Sequence, residues 1–333
     1  MWQVIGQDKI AALFEHSIRE HNIAHAWLLT GPPHIGKGTL AINLAQALNC
    51  DDSKPPCGRC HSCCRILEGK HSDVISIGLN SRAEIGINDM RELQSLANLA
   101  PYEGKCKVFI IDHAEYLSNE AANSLLKILE EPPPKVVWLL LAVEEKHLLP
   151  TIISRCQRLE LKPVPREQIQ GMLVDFHSVD PSSARLLAQL SQGCPGWALS
   201  ALSDDNMLKQ RSERIANLSS LLTASLERRF TYAQELATQF TQDRRLVAEI
   251  IEIWLGWWRD LMLIKGGCKD AITNIDYEEE LREQANTLSL TQVKEFLADL
   301  RSAHKEIFKN ANPRLAFELL MLNLPRKASF SKA

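Results

Sequence analysis

No apolar run in these 333 residues approaches the roughly 20 needed to span a bilayer, so no membrane partner is expected. The first residues, Met1-Trp2-Gln3-Val4-Ile5-Gly6-Gln7, lack the basic-then-apolar order of a signal peptide, and the expected location is cytoplasmic. Excess charge of either sign is also missing. With 38 Lys+Arg against 41 Asp+Glu the net charge is -3, which excludes a globally basic, nucleic-acid-coating surface. Any DNA contact must then come from a local patch or from a larger assembly, and no strip of interleaved basic and aromatic residues is visible. Internal repeats and low-complexity segments are absent too. Cysteine, by contrast, is plentiful at nine residues, four of them packed between Cys57 and Cys64, a pattern that suggests metal ligation in a reducing compartment rather than disulfides.

Length allows two or three domains and a substantial core. In the first half, short apolar runs at Ala26–Leu29, Val74–Ile77, Val108–Ile111 and Val136–Leu141 alternate with helical patterns such as Thr39–Leu48. Strands that are apolar throughout and separated by helices imply a parallel sheet covered on both faces, with ligands bound at the carboxyl ends of the strands. The prolines of Lys162-Pro163-Val164-Pro165 read as a linker, after which the helical period takes over. Ser203-Asp204-Asp205-Asn206 then separates a small helical unit from a third region that is helical to the end. The expected division is therefore 1–162, 163–204 and 205–333. In the last region Ser289-Leu290-Thr291-Gln292 has capping-box form ahead of Val293, Phe296, Leu297 and Leu300. Trp254, Trp257 and Trp258, at i, i+3 and i+4, suit helix-core or interface packing better than base stacking.

Gly31-Pro32-Pro33-His34-Ile35-Gly36-Lys37 matches the first seven positions of a Walker A loop. Its glycines, Gly31 and Gly36, let backbone N–H groups wrap phosphates, and Lys37 supplies positive charge. The next position should carry the hydroxyl that holds Mg²⁺. Here it is Gly38, and Thr39 comes one residue late. The plainer alternative is an ordinary strand–turn–helix loop. Lys107-Val108-Phe109-Ile110-Ile111-Asp112 has Walker B form, delivering Asp112 toward a metal, with a helix cap as the alternative role for that residue. The water-orienting Glu expected next is His113, and Glu115 is expected to point elsewhere. Asn119–Glu131 reads as a helix with Ala122, Leu125, Leu126 and Leu129 on its apolar face, stopped by Pro132-Pro133-Pro134.

The order of these motifs, with Ser124-Leu125-Leu126-Lys127-Ile128-Leu129-Glu130-Glu131-Pro132-Pro133 and then Ser154-Arg155-Cys156, resembles the bacterial clamp-loader family of AAA+ proteins. The resemblance runs over nearly the whole chain and is most specific from Gly31 to Cys156. It implies an AAA+ P-loop fold with a parallel sheet at 1–162, a small helical lid at 163–204 and an all-helical collar at 205–333. It also implies that Arg155 reaches across a subunit boundary to the γ-phosphate of a neighbour's ATP, where a guanidinium makes hydrolysis depend on assembly; the alternative is an arginine paired with a surface carboxylate. Lys127 is a candidate DNA contact or a solvated lysine. Trp197, in Gly193-Cys194-Pro195-Gly196-Trp197, stands where the lid's sensor arginine is expected. Gly38, His113 and Trp197 each remove a part of the hydrolytic machinery.

Cys50, Cys57, Cys60 and Cys63 form C-x6-C-x2-C-x2-C, spacing that suits a tetrahedral zinc site within a module at 50–64, with Cys64 an alternative fourth ligand and chance clustering of reduced thiols the other reading. The family carries a similar module at this place. Together these features imply a non-motor, stator-like subunit that binds zinc, with Gly31, Gly36, Lys37, Gly38, Thr39 and Asp112 the candidate residues for ATP or ADP. The implied partners are tau/gamma-type motor and delta subunits, the sliding clamp, and primer–template DNA within the assembly. Two alternatives stand beside this: the ATP-hydrolysing motor subunit itself, and a stand-alone zinc-containing DNA-binding protein on a dead AAA+ scaffold.

Overall fold

A computed structural model describes residues 2–79, 82, 84–307 and 312–326. Two compact units divide the chain: residues up to Ala184 with Gly193–Leu199, and Arg185–Gln192 with everything from Ser200 onward. The stretch expected to form a lid, 163–204, is thus shared between them.

The first unit is built on a five-stranded sheet of β1 (Ala26–Thr30), β2 (Val74–Ile77), β3 (Lys107–Ile111), β4 (Val136–Ala142) and β5 (Gln157–Glu160), in the order β2-β3-β4-β1-β5. Every pairing is parallel, with Ala26 opposite Trp138 and Val108 opposite Val137. The helices are α1 (Asp8–Arg19), α2 (Lys37–Asn49), α3 (His61–Leu67), α4 (Ile87–Ala97), α5 (Asn119–Glu130), α6 (Pro150–Ile153) and α7 (Arg166–His177). Strands β3 and β4 are buried along their whole length, which is why they read as continuous apolar runs. Phe109 stacks on Trp138 across them at 4.5 Å. Strand β5 (Gln-Arg-Leu-Glu) lies at the sheet edge with three of its four residues exposed, so its polar sequence carries no strand signal.

Helix α5 starts where Ser118 accepts from the Ala121 N–H at 3.2 Å and ends before the proline run. Its buried face is Ala121, Ala122, Leu125, Ile128 and Leu129, while Leu126 is only half-buried. The apolar stripe is therefore rotated slightly from the face expected.

Helices α8 (Pro181–Leu190) and α9 (Pro195–Ser203) lead into the second unit, whose helices are α10 (Asp205–Thr223), α11 (Leu226–Gln242), α12 (Arg244–Lys265), α13 (Glu278–Thr287), α14 (Leu290–Ile307) and α15 (Pro313–Asn323). Trp254, Trp257 and Trp258 lie in its core with Leu261, Phe296 and Leu300, not on its surface. Ser289 and Gln292 cap α14 reciprocally: the Gln292 N–H donates to Ser289 Oγ at 3.1 Å, and the Ser289 N–H donates to Gln292 Oε1 at 2.8 Å. Arg229, fully buried, ties the unit together by donating to the carbonyls of Leu221, Leu222 and Leu324.

Candidate functional site

The loop after β1 is held from both sides of its strand. The Gly31 N–H donates to the Val143 carbonyl beyond β4 at 3.1 Å, and the Leu161 N–H donates to Thr30 from beyond β5 at 2.8 Å. Gly31 and Gly36 sit at φ of 146° and 106°, and a Cβ on Gly31 would lie 2.7 Å from the Leu161 carbonyl oxygen, so only glycine fits there. Lys37 opens α2 and folds back over the loop, its Nζ donating to the carbonyls of Gly31 at 2.7 Å and Pro32 at 3.0 Å. Burial pushes its pKa down, against the pull of Glu115, Asp112 and Cys194. Gly38 and Thr39 are exposed, and nothing lies within 4 Å of where a Gly38 Cβ would be. The Thr39 hydroxyl stands about 100° further round the helix than the position a Mg²⁺-holding side chain would take.

At the end of β3, Asp112 presents a half-exposed carboxylate while its N–H donates to Ile77 at 2.8 Å. His113 turns the chain at φ 57°, a left-handed conformation, and its ring lies between two acids: Nε2 is 3.9 Å from Asp112 and Nδ1 is 3.7 Å from Glu115. Glu115 turns inward. Its side chain is buried, one oxygen accepting from the Val143 N–H at 3.4 Å and the other without a hydrogen-bond partner. Burial would raise its pKa, but His113, its own N–H and Val143 outweigh that and hold the carboxyl below its usual range. The left-handed turn at His113 leads straight into the short helical turn that carries Glu115. No sequence pattern announces that turn, and a non-glycine residue adopts it uncommonly.

The start of α9 lies against this loop. The Gly196 N–H donates to the His34 carbonyl at 2.9 Å, and a Cβ on Gly196 would come within 2.8 Å of that same oxygen. Trp197 follows directly and is partly buried.

The Cys50, Cys57, Cys60 and Cys63 sulfurs all lie within 4.8 Å of one another. Cys50 to Cys60 and Cys57 to Cys63 are each 3.9 Å apart, close to the roughly 3.8 Å edge of a tetrahedron with 2.3 Å metal–sulfur bonds. The cluster is assembled from two elements: Cys50 caps the carboxyl end of α2, while Cys60 caps the start of α3 and Cys63 lies within it. Cys64 is exposed, its thiol 3.9 Å from the Gly58 carbonyl. Thiols so placed can hold a metal ion, and a sulfur-only donor set suits zinc. Without an ion they are unequal: N–H groups of Arg59 and Cys60 lower Cys57 to about 6, while burial pushes Cys50 and Cys63 up.

Arg155 follows the single turn of α6, which packs against α5. It is partly exposed, with Nη1 donating to Thr151 O at 2.9 Å and Nη2 to Glu130 Oε1 at 2.6 Å. Glu130 is visible in sequence only as part of a motif, and Asp73 is an acid that sequence reasoning did not single out. The Asp73 carboxylate accepts from the N–H groups of Tyr102, Glu103 and Gly104, and lies 3.1 Å from Lys107 Nζ.

Two family models bear on this arrangement of loop, Asp112 and helical second unit. "DNA polymerase III, delta subunit" matches residues 6–165, and "DNA polymerase III, delta subunit, C terminal" matches residues 205–325. The DNA polymerase III subunit delta' of Bacillus subtilis is 28% identical, with 96% of each chain covered. The chain belongs to the DNA polymerase III delta-prime family. Its two matched segments correspond to the parallel α/β unit and to the helical unit that follows it. The tau subunits of Bacillus subtilis and Escherichia coli are 29% and 28% identical over 99% and 96% of this chain, which spans 62% and 52% of their length.

Proposed function

We propose that the chain is a stator-like, non-motor subunit of the clamp loader, supporting ATP-dependent placement of the sliding clamp on primed DNA and donating Arg155 to a neighbour's ATPase site. The observation that carries this reading is the contrast between the two ends of the sheet machinery. Arg155 is solvent-accessible at the end of α6, whereas the chain's own loop lacks a hydroxyl at Gly38, holds an imidazole at His113 and keeps Lys37 bonded to its own carbonyls. A guanidinium supplied from outside stabilises charge on the transferring phosphoryl group, so turnover depends on assembly. Gly31, Gly36, Lys37, Gly38, Thr39 and Asp112 would form the nucleotide cradle, suited to binding ATP or ADP more than to hydrolysis.

In this reading Cys50, Cys57, Cys60 and Cys63 hold one zinc ion, which would stiffen the junction of α2 and α3. The helical unit serves as a collar toward tau/gamma-type and delta subunits. Leu315, Leu319 and Leu322, each more than half exposed on α15, lie at i, i+4 and i+7 and give that unit an unpartnered apolar stripe. The likeness to tau subunits over nearly the whole chain favours a second reading, that the chain hydrolyses ATP itself.

Steady-state hydrolysis by the chain alone, then with its motor partner, separates the two. The stator reading expects no turnover alone and stimulated turnover in the complex. Arg155→Ala should then cost the adjoining site about 10³-fold, the scale of a lost arginine finger. Robust turnover by the isolated chain, abolished by Lys37→Ala, would overturn it in favour of the motor.

A further inference from the structure

Arg155 is hydrogen-bonded within its own chain. Its Nη1 donates to Thr151 O at 2.9 Å and to Ser154 Oγ at 3.3 Å; its Nη2 donates to Glu130 Oε1 at 2.6 Å. Thr151 and Ser154 belong to the same turn as Arg155 and travel with it. Glu130 does not: it is the last residue of α5, 25 positions earlier in the chain. The proline run that follows stops α5 at that point, and the packing of α5 on α6 sets the carboxylate beside the guanidinium. The carboxyl end of α5 adds its own partial negative charge to the attraction.

We infer that Glu130 is the resting counter-ion of Arg155, retaining the guanidinium against its own subunit until a neighbour's nucleotide phosphate displaces it. This rests on Arg155 acting in trans, as proposed above. A guanidinium pairs in the same forked geometry with carboxylate and with phosphate, so the two compete for one donor face. A nucleoside triphosphate presents several negative charges and outcompetes a lone carboxylate, whereas a nucleoside diphosphate offers no γ-phosphoryl group at the reach of the arginine. The carboxylate also repels an approaching phosphate of the same sign. Glu130 therefore makes arginine insertion sensitive to which nucleotide the neighbour holds. The side chains of Arg155 and Glu130 are 34% and 51% exposed, so the tie is weak enough to release in normal operation, and its removal should change an apparent affinity by only about threefold.

The test uses the full chain and its ATPase partner, loaded with either a non-hydrolysable ATP analogue or ADP. Binding is measured for wild type, Glu130→Gln, Arg155→Ala and the double variant. Glu130→Gln is expected to tighten binding about threefold with the ATP analogue and not with ADP. The gain should vanish in the Arg155→Ala background and shrink at high salt, neither of which a merely structural role would produce. Glu130→Asp, which keeps the charge, should behave more like wild type. If Arg155→Ala weakens the complex but Glu130→Gln leaves it unchanged, or weakens it too, the counter-ion proposal is overturned while the trans-arginine reading stands. If Arg155→Ala has no effect on binding or on partner hydrolysis, the trans-arginine reading itself fails.

Discussion

Replacing Asp73 by Asn should destabilise the sheet that carries Asp112 by about 3–5 kcal/mol, the cost of leaving one member of a buried ion pair without its partner. The Asp73 side chain is 0% exposed and that of Lys107 is 6% exposed, with 3.1 Å between them. The carboxylate also accepts from Tyr102 at 2.8 Å, Glu103 at 2.8 Å and Gly104 at 2.7 Å. An amide offers only one accepting oxygen; placed where Oδ2 accepts from Tyr102, Glu103 and Gly104, it leaves its own N–H group facing the buried Lys107 ammonium. The pH dependence gives a second handle. Burial alone would raise the Asp73 pKa, but the three N–H groups and Lys107 lower it from 3.8 to about 2. A carboxyl depressed in the folded state contributes stability that is present above pH 4 and is lost as pH falls toward 2, here about 2 kcal/mol. Hydrogen exchange reads the affected unit by itself. The Val108 N–H, bonded to the Asp73 carbonyl at 2.8 Å, and the rest of β3 should lose about a hundredfold or more in protection, with α12 unchanged. Wild type should lose protection on acidification from pH 4 to 2 by more than the variant does. A loss under about fivefold in the variant, with identical acid profiles, would refute this account of the network.

Native mass spectrometry of the purified chain should find one zinc ion, lost in Cys63→Ser and retained in Cys64→Ser. Retention in the first and loss in the second would reverse the ligand assignment, and no metal in wild type would remove the site. Gly38→Thr should leave stability within about 0.5 kcal/mol, because nothing lies within 4 Å of the new Cβ. It should also raise Mg²⁺-dependent affinity for ATP, measured by calorimetry; unchanged affinity would mean that the missing hydroxyl is not what limits the loop.

Much of this protein is legible along the chain because its signals are local. Strands β3 and β4 are buried on both faces and so are apolar without interruption. The glycines of the phosphate loop answer to backbone conformations that other residues avoid, and the Ser289–Gln292 cap closes over one helical turn. The C-x2-C steps likewise bring sulfurs together within a short segment, and the three tryptophans of α12 follow the helical period into the core. The prolines after Glu130 end α5 whatever it packs against.

Tertiary structure decides what depends on residues far apart or on an unforeseen turn. Strand β5 exists only because an edge position lets polar residues face solvent while the backbone pairs with β1. Glu115 meets the Val143 N–H from 28 residues away. Asp73 finds its donors 29 to 31 residues away, and Glu130 meets Arg155 across 25. Amino-acid order specifies which groups can carry charge or bind a metal. Which charge neutralises which is set by the packing of elements, since Coulomb and hydrogen-bond energies depend on distances through space that sequence separation does not encode.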